Sequence, residues 1–219
     1  MASSSSSNMY WTKKKGAVAV SPAPPLMTVD EYFTETPETV KPMELIFGTL
    51  RVAESPTPRH QMAVADLFRA LDSHVRARQL GQVWVAPLDV VLDEEQALIV
   101  QPDLFFISND RAWIVRDRVR GAPDLAIEVL SPHPRIGTTT ERIDWFARYG
   151  IRECWLVHQD TVSIEVLRFA DGRVASRRRF TRRQPVVSAV LPEFGSSLDG
   201  MLNVYPDPPP AGRKLFADG

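Results

Sequence analysis

Two carboxylates stand in segments otherwise suited to a core. In "GAPDLAIEVLSPHP" (residues 121–134) Glu128 interrupts an apolar run, and in "IVQPDLFFIS" Asp103 opens one after a proline. Apolar neighbours on both sides of Glu128 are the pattern of a strand buried on both faces. An unpaired carboxylate there is costly, so it must be neutralised, paired or bound to a metal. If the two strands are adjacent, both acids project at one end of the sheet. Paired carboxylates without a histidine or cysteine cluster suit a hard cation such as Mg²⁺. An ion so held binds a phosphate oxygen, lowers the pKa of its water and supports in-line hydrolysis of a phosphodiester. The competing reading is structural: Glu128 salt-bridged to an arginine, and Asp103 a turn residue ahead of its strand. Pro-Asp recurs at Pro123-Asp124 and Pro206-Asp207 in a chain with 18 prolines, so the dipeptide alone does not decide.

The elements that must position these acids follow from periodicity and punctuation. "MTVDEYFTETPE" predicts a short helix capped by Thr28. "KPMELIFGTLRVAESP" predicts a hairpin bending at Phe47-Gly48-Thr49. "TPRHQMAVADLFRALDSHVRARQLG" places Met62, Ala65, Leu67, Phe68, Leu71 and Val75 at helical spacing, with Gly81 as the stop. "QVWVAPLDVVLD", "ALIVQPDLFFIS" and "APDLAIEVLS" read as three strands, the last two joined by the charged "NDRAWIVRDRVRG". "TTTERIDWFARYG" predicts a second long helix, with a capping box from Thr138 to Glu141 and Gly150 at its end. "ECWLVHQ" is a further strand, and "SIEVLRFADGRVASRRRF" a hairpin turning at Asp171-Gly172. The order describes an α/β domain around a mixed sheet. Trp113, Trp145, Phe146 and Trp155 fall in helix or strand patterns and read as core.

At 219 residues the chain suits one domain with appendages. Residues 1–26, with a serine run and a lysine triplet, read as a disordered leader ahead of Met27; residues 205–219 read as a Pro-rich tail; the domain spans 27–204. No run reaches the ~18 apolar residues needed to span a bilayer, and "GAVAV" is too short for a signal peptide. The single cysteine, Cys154, cannot form an internal disulfide and suits a buried thiol in a reducing cytoplasm. A net charge of −1 excludes a global basic field. Nucleic acid, if bound, must meet local patches, of which "RAWIVRDRVR" and "SRRRFTRRQ" are the richest in arginine. In a regular strand Arg177 and Arg179 share one face and Arg178 takes the other, so a solvated hairpin is the competing reading.

"PMELIFGTLRV", "SPTPRHQMAVADLFRAL", "VQPDLFFIS", "GAPDLAIEVLSP", "ERIDWFARYGIRECWLV" and "AVLPEFGSSLDGML", in that order, resemble the bacterial Uma-two family of restriction endonucleases. That family lies in the restriction-endonuclease-like superfamily, named for its PD-(D/E)xK signature. The resemblance covers about residues 27 to 204 and implies a central mixed sheet flanked by helices, with an added N-terminal hairpin. It implies an Mg²⁺- or Mn²⁺-dependent site in which Asp103 and Glu128 bind the metal and Glu44 is a third acid near it. For Glu44 a hairpin salt bridge is the alternative. His60 matches the histidine opening the family's first long helix, at the rim of the site; a lone histidine is otherwise more often structural. Asp124 falls at a variable position and is not carried over. Leu130 stands where the superfamily's lysine normally follows the acid, and Arg142 matches the lysine that this family moves onto the next helix. Arginine keeps the charge and can steady a phosphate but does not readily give up a proton. Thr138 replaces an acid, harmlessly if that acid was a helix cap.

The resemblance further implies hydrolysis of nucleic-acid phosphodiesters, DNA ahead of RNA, by a cytoplasmic protein with no membrane partner. The superfamily often works as homodimers, although no residue here fixes a dimer face. The arginine-for-lysine exchange motivates the alternative, a catalytically weakened relative acting as a nucleic-acid-binding or interaction domain.

Overall fold

A computed structural model of the protein describes residues 26–37, 41–130 and 138–203. The expected leader up to residue 25 and the tail from 205 lie outside the described residues. Thr28 caps α1 (Val29–Glu35) through a capping box with Glu31. The hairpin β1 (Met43–Ile46) and β2 (Thr49–Val52) turns at Phe47 and Gly48, both at positive φ. The first long helix is α2 (Pro58–Ala77), whose N-cap Thr57 accepts from His60 N, with Pro58 where a missing N–H costs nothing. Its stop is not Gly81. Gln79 takes the left-handed conformation at φ 52° and Leu80 N donates to Val75 O. Gly81 instead opens β3 (Gly81–Val85), where an added Cβ would stand 2.1 Å from Ile107 O.

The two long apolar segments that read as single strands are each broken at a proline, Pro87 and Pro102, which cannot donate to a ladder. The first becomes β3 and β4 (Val90–Asp93), the second β5 (Leu98–Val100) and β6 (Leu104–Ser108). The halves pair separately. β3 and β6 enter a six-stranded sheet of order β11-β10-β9-β8-β6-β3, made with β8 (Leu125–Leu130), β9 (Glu153–His158), β10 (Ser163–Ala170) and β11 (Arg173–Thr181). β4 and β5 join the N-terminal hairpin in a five-stranded sheet of order β2-β1-β5-β4-β7. The charged connection holds a 3₁₀ helix, Asn109–Ile114, and the short β7 (Val119–Arg120). Both sheets are mixed: β8 runs parallel to β9 and β4 parallel to β7.

Alternation along β8 assigns the faces of the six-stranded sheet. Leu125, Ile127 and Val129 meet α2 through Leu67, Leu71 and Val75, in a core that the C-terminal segment closes with Leu191, Phe194 and α4 (Leu198–Met201). Ala126 looks the other way, into a core of Phe105, Cys154, Leu156 and Leu167 against α3 (Thr139–Arg148) and its Trp145 and Phe146. Cys154 is buried as expected. Trp113 is a correction: it is 65 % exposed, because the 3₁₀ helix turns Ile114 inward in its stead. Among the described residues no helix is long and apolar enough to cross a membrane.

Candidate active site

The acids meet through sheet register. β6 and β8 are antiparallel and their ladder ends with Leu104 opposite Ile127, which leaves Asp103, just ahead of β6, close enough to Glu128 for its charge to act on that carboxyl. Asp103 is anchored from both sides: its Oδ2 accepts from Val129 N at 2.7 Å and lies 3.2 Å from His60 Nε2. His60 reaches it from the third position of α2, oriented by the Thr57 cap. Among the described residues, His60 Nδ1 is buried without a hydrogen-bond partner.

Arg142 arrives from the first turns of α3, a helix started by the expected Thr138–Glu141 capping box. Its Nε donates to Glu128 Oε1 at 2.6 Å, and its two terminal nitrogens donate to the two oxygens of Glu44 at 2.8 Å each. Glu44 also accepts from Gln101 N at 2.6 Å. The Gln101 side chain is itself held by Asp89 Oδ1 at 2.8 Å. A guanidinium fork thus ties the five-stranded sheet to the six-stranded one. Side-chain exposure is 12 % for Arg142, 14 % for Glu128 and 3 % for Glu44, so the ions are screened little by solvent.

Two carboxylates contact the guanidinium, and a third, Asp103, lies near Glu128. Burial pushes the Glu128 carboxyl up, to about 8; Arg142 opposes that, and the Asp103 and Glu44 charges add to it. Burial alone would lower the Arg142 guanidinium, but the charges of Glu128 and Glu44 outweigh it and hold it well above its ordinary value. The structure therefore realises a salt bridge at Glu128, and its partner is Arg142. Glu44 is in a salt bridge too, across the sheets and not within its hairpin. Both its oxygens are occupied, which makes it the support of Arg142.

The five residues singled out in the sequence, Glu44, His60, Asp103, Glu128 and Arg142, fall in one neighbourhood. Asp124, set aside, is fully buried and structural: it accepts from Ser108 N at 2.8 Å and Arg152 Nη1 at 3.0 Å. Among the described residues no three His, Cys, Asp or Glu side chains are arranged to hold an ion. Asp103 and Glu128 are the adjacent pair that could do so together with ligands from outside the protein. Sequence reasoning missed Gln101, inside the quoted "VQPD", and the face-sharing Glu165 and His158, whose side chains approach to 3.7 Å. Only register relates these last two to Glu128.

The family model for Uma2, described as "Putative restriction endonuclease", matches residues 29–202. A solved structure, a putative nuclease belonging to DUF820 from Anabaena variabilis, superposes with a TM-score of 0.66 at 20 % identity. The match covers 80 % of this chain and 97 % of that one, and what it shows is a shared fold. No curated protein matches this chain.

Proposed function

The chain belongs to the Uma2 family, and from that premise we propose that it is a metal-dependent endonuclease hydrolysing nucleic-acid phosphodiesters, with DNA the first substrate. The observation that carries this reading is the proximity of Asp103, at the entry of β6, to Glu128 of β8 beside a fixed guanidinium. The donor set fits Mg²⁺ or Mn²⁺: hard oxygens, two carboxylates, and a local excess of negative charge that one arginine does not balance. Mg²⁺ in particular takes one or two carboxylates and completes its octahedron with water and substrate phosphate. When bound, such an ion supplies Lewis acidity toward a phosphate oxygen and lowers the pKa of water.

The chain's own residues do the rest. Asp103 is oriented by Val129 N and His60. Glu128, whose Oε1 accepts from Arg142 Nε, would hold the cation together with Asp103. Arg142 keeps its proton and is no base; with three nitrogens already donating, it positions Glu128 and places fixed positive charge beside the phosphate. Glu44 positions Arg142. Two such sites would let both strands of a duplex be cut in one encounter, and we expect a homodimer, which sedimentation equilibrium would register.

The test is cleavage of plasmid and oligonucleotides with Mn²⁺ or Mg²⁺, comparing wild type with Glu128→Gln. Cleavage by the wild type alone is expected; no cleavage by either across broad conditions overturns the proposal. One observation favours a second reading, a binding domain that keeps the fold: Arg142 already engages Glu128 and both oxygens of Glu44 without a metal. Calorimetry separates the two. An intact site binds Mn²⁺, and Asp103→Asn abolishes that heat; a binding domain shows none. Arg142→Lys tests whether restoring the family's residue raises activity.

A further inference from the structure

The sheet face that carries Glu128 continues past the site under α3, which buries its Cys154, Leu156 and Leu167, and emerges at β11. Register runs from Glu128 through Leu156 and Glu165 to Arg179, and one step down from Ala126 through Cys154 and Leu167 to Arg177. Residues paired across a sheet share a face, so Arg177 and Arg179 stand on the side of Glu128. Arg178 takes the opposite face, its guanidinium 4.7 Å from the centre of the Phe180 ring. Three strand spacings of about 4.8 Å put Arg179 roughly 14 Å from Glu128.

Arg179 is held in place by neutral groups. Its Nε donates to Ser163 Oγ at 3.0 Å, and its Nη2 to Ser163 Oγ at 2.7 Å and Thr161 Oγ1 at 2.9 Å. These bonds fix the fork without cancelling its charge. Arg177 is about half exposed, and its nearest carboxylate, Glu165, is 3.7 Å away, too far for a hydrogen bond. Arg177 and Arg173 also line a cleft of about 280 Å³ between β11 and α3, opposite Thr140 and Ile143. Asp144, on the same wall, is paired with Arg148 at 2.9 Å. Thr140 is two residues from Arg142 and so about 200° around the helix from it: the cleft opens on the β11 side of α3, and Arg142 meets Glu128 on the other.

We propose that Arg177 and Arg179, with Arg173 at the far end of the cleft, form a phosphate track for the flank of a nucleic-acid strand whose scissile bond lies at Glu128. This rests on the nuclease reading. Arg177 can offer a planar fork to two phosphate oxygens, Arg179 offers Nη1 because its Nε and Nη2 already donate, and the 14 Å offset spans about four nucleotides at ~3.4 Å each. The track explains why three consecutive arginines are not equivalent: the strand presents two to the substrate face and one to the other.

The experiment is anisotropy titration of the full chain, in EDTA so that nothing is cut, with a labelled 20-nucleotide single strand and its duplex. Arg177→Gln/Arg179→Gln is expected to weaken binding roughly tenfold or more, and to reduce the slope of log K against log salt by about 1.8 for duplex or 1.4 for single strand. Arg178→Gln on the opposite face leaves both within about twofold. Equal losses in the two variants, no loss in the double variant, no binding by wild type, or equal competition by polyglutamate would each overturn the track. If the double variant fails to fold, Arg177→Gln alone, whose partner contact is weak, is expected to reduce the slope by about 0.9 for duplex. In cleavage assays the double variant raises KM and leaves kcat unchanged. Binding that depends on Arg177 and Arg179 without cleavage by wild type sinks the nuclease reading only. Cleavage with KM and salt slope unmoved sinks the track only.

Discussion

At the scale of single residues, the most consequential side chain is Arg142. Two buried carboxylates depend on it, and removing one partner of a buried pair exposes the other to the full cost of desolvation. Arg142→Ala is expected to destabilise the fold by about 3–5 kcal/mol, measured by urea unfolding, and adding Glu44→Gln is expected to recover part of the loss. Recovery of nothing would mean that Arg142 acts through packing and not through charge. The divalent ion proposed for Asp103 and Glu128 would add its own stabilisation. Mn²⁺ at about 100 times its dissociation constant is expected to raise stability by about 2.7 kcal/mol, visible as a higher Tm. The same addition leaves Asp103→Asn where it was. An equal shift in both proteins would place the ion elsewhere.

At the scale of elements, α3 is the part that must start in the right place, since Arg142 sits one turn from its beginning. Thr138 takes the cap and accepts from Glu141 N at 3.2 Å, while Glu141 Oε2 accepts from Thr138 N at 2.7 Å. Thr138→Ala is expected to cost about 1 kcal/mol in thermal unfolding, and Thr138→Asp to cost nearly nothing, because aspartate caps as well. That pair of variants also tells whether an acid at this place would serve more than the cap: activity gained by Thr138→Asp without a change in Tm would assign it to the site. The capping box, the Asp171-Gly172 turn and the stop at Gly150 were all legible, since each is a contact between residues a few positions apart. The break of two apolar runs into four strands was not. Pro87 and Pro102 mark the places, but which sheet each half joins is decided by the partners available on either side.

At the scale of the molecule, the six-stranded sheet is gripped between α2 with the C-terminal segment on one face and α3 on the other. Phe194 shows how the segment holds: its ring meets His74 edge-on, centroids 5.1 Å apart, and Trp155 at 5.4 Å. His74 Nε2 adds a hydrogen bond to Pro192 O at 2.9 Å. Phe194→Ala is expected to cost about 3–5 kcal/mol by chemical denaturation, the ordinary price of an emptied aromatic site. A cost under about 1 kcal/mol would show that the segment is only laid against α2 and not part of the core. The Arg142 fork is the corresponding tie between the two sheets, so the candidate site sits where the halves of the molecule are joined.

The sequence by itself determined the local grammar: where helices begin, where hairpins turn, which strand is buried on both faces, and that two acids in apolar strands needed a partner. The resemblance picked out the five residues that the fold gathers. Only the tertiary structure decided that Glu44 reaches Arg142 across 98 positions of chain, that Glu128 faces Arg179 along a row of four strands, and that Trp113 turns outward. The physical reason is that caps and turns are closed by neighbours a few residues apart. Register and sheet membership are set instead by which faces can be buried together, and that is a property of the whole packed chain.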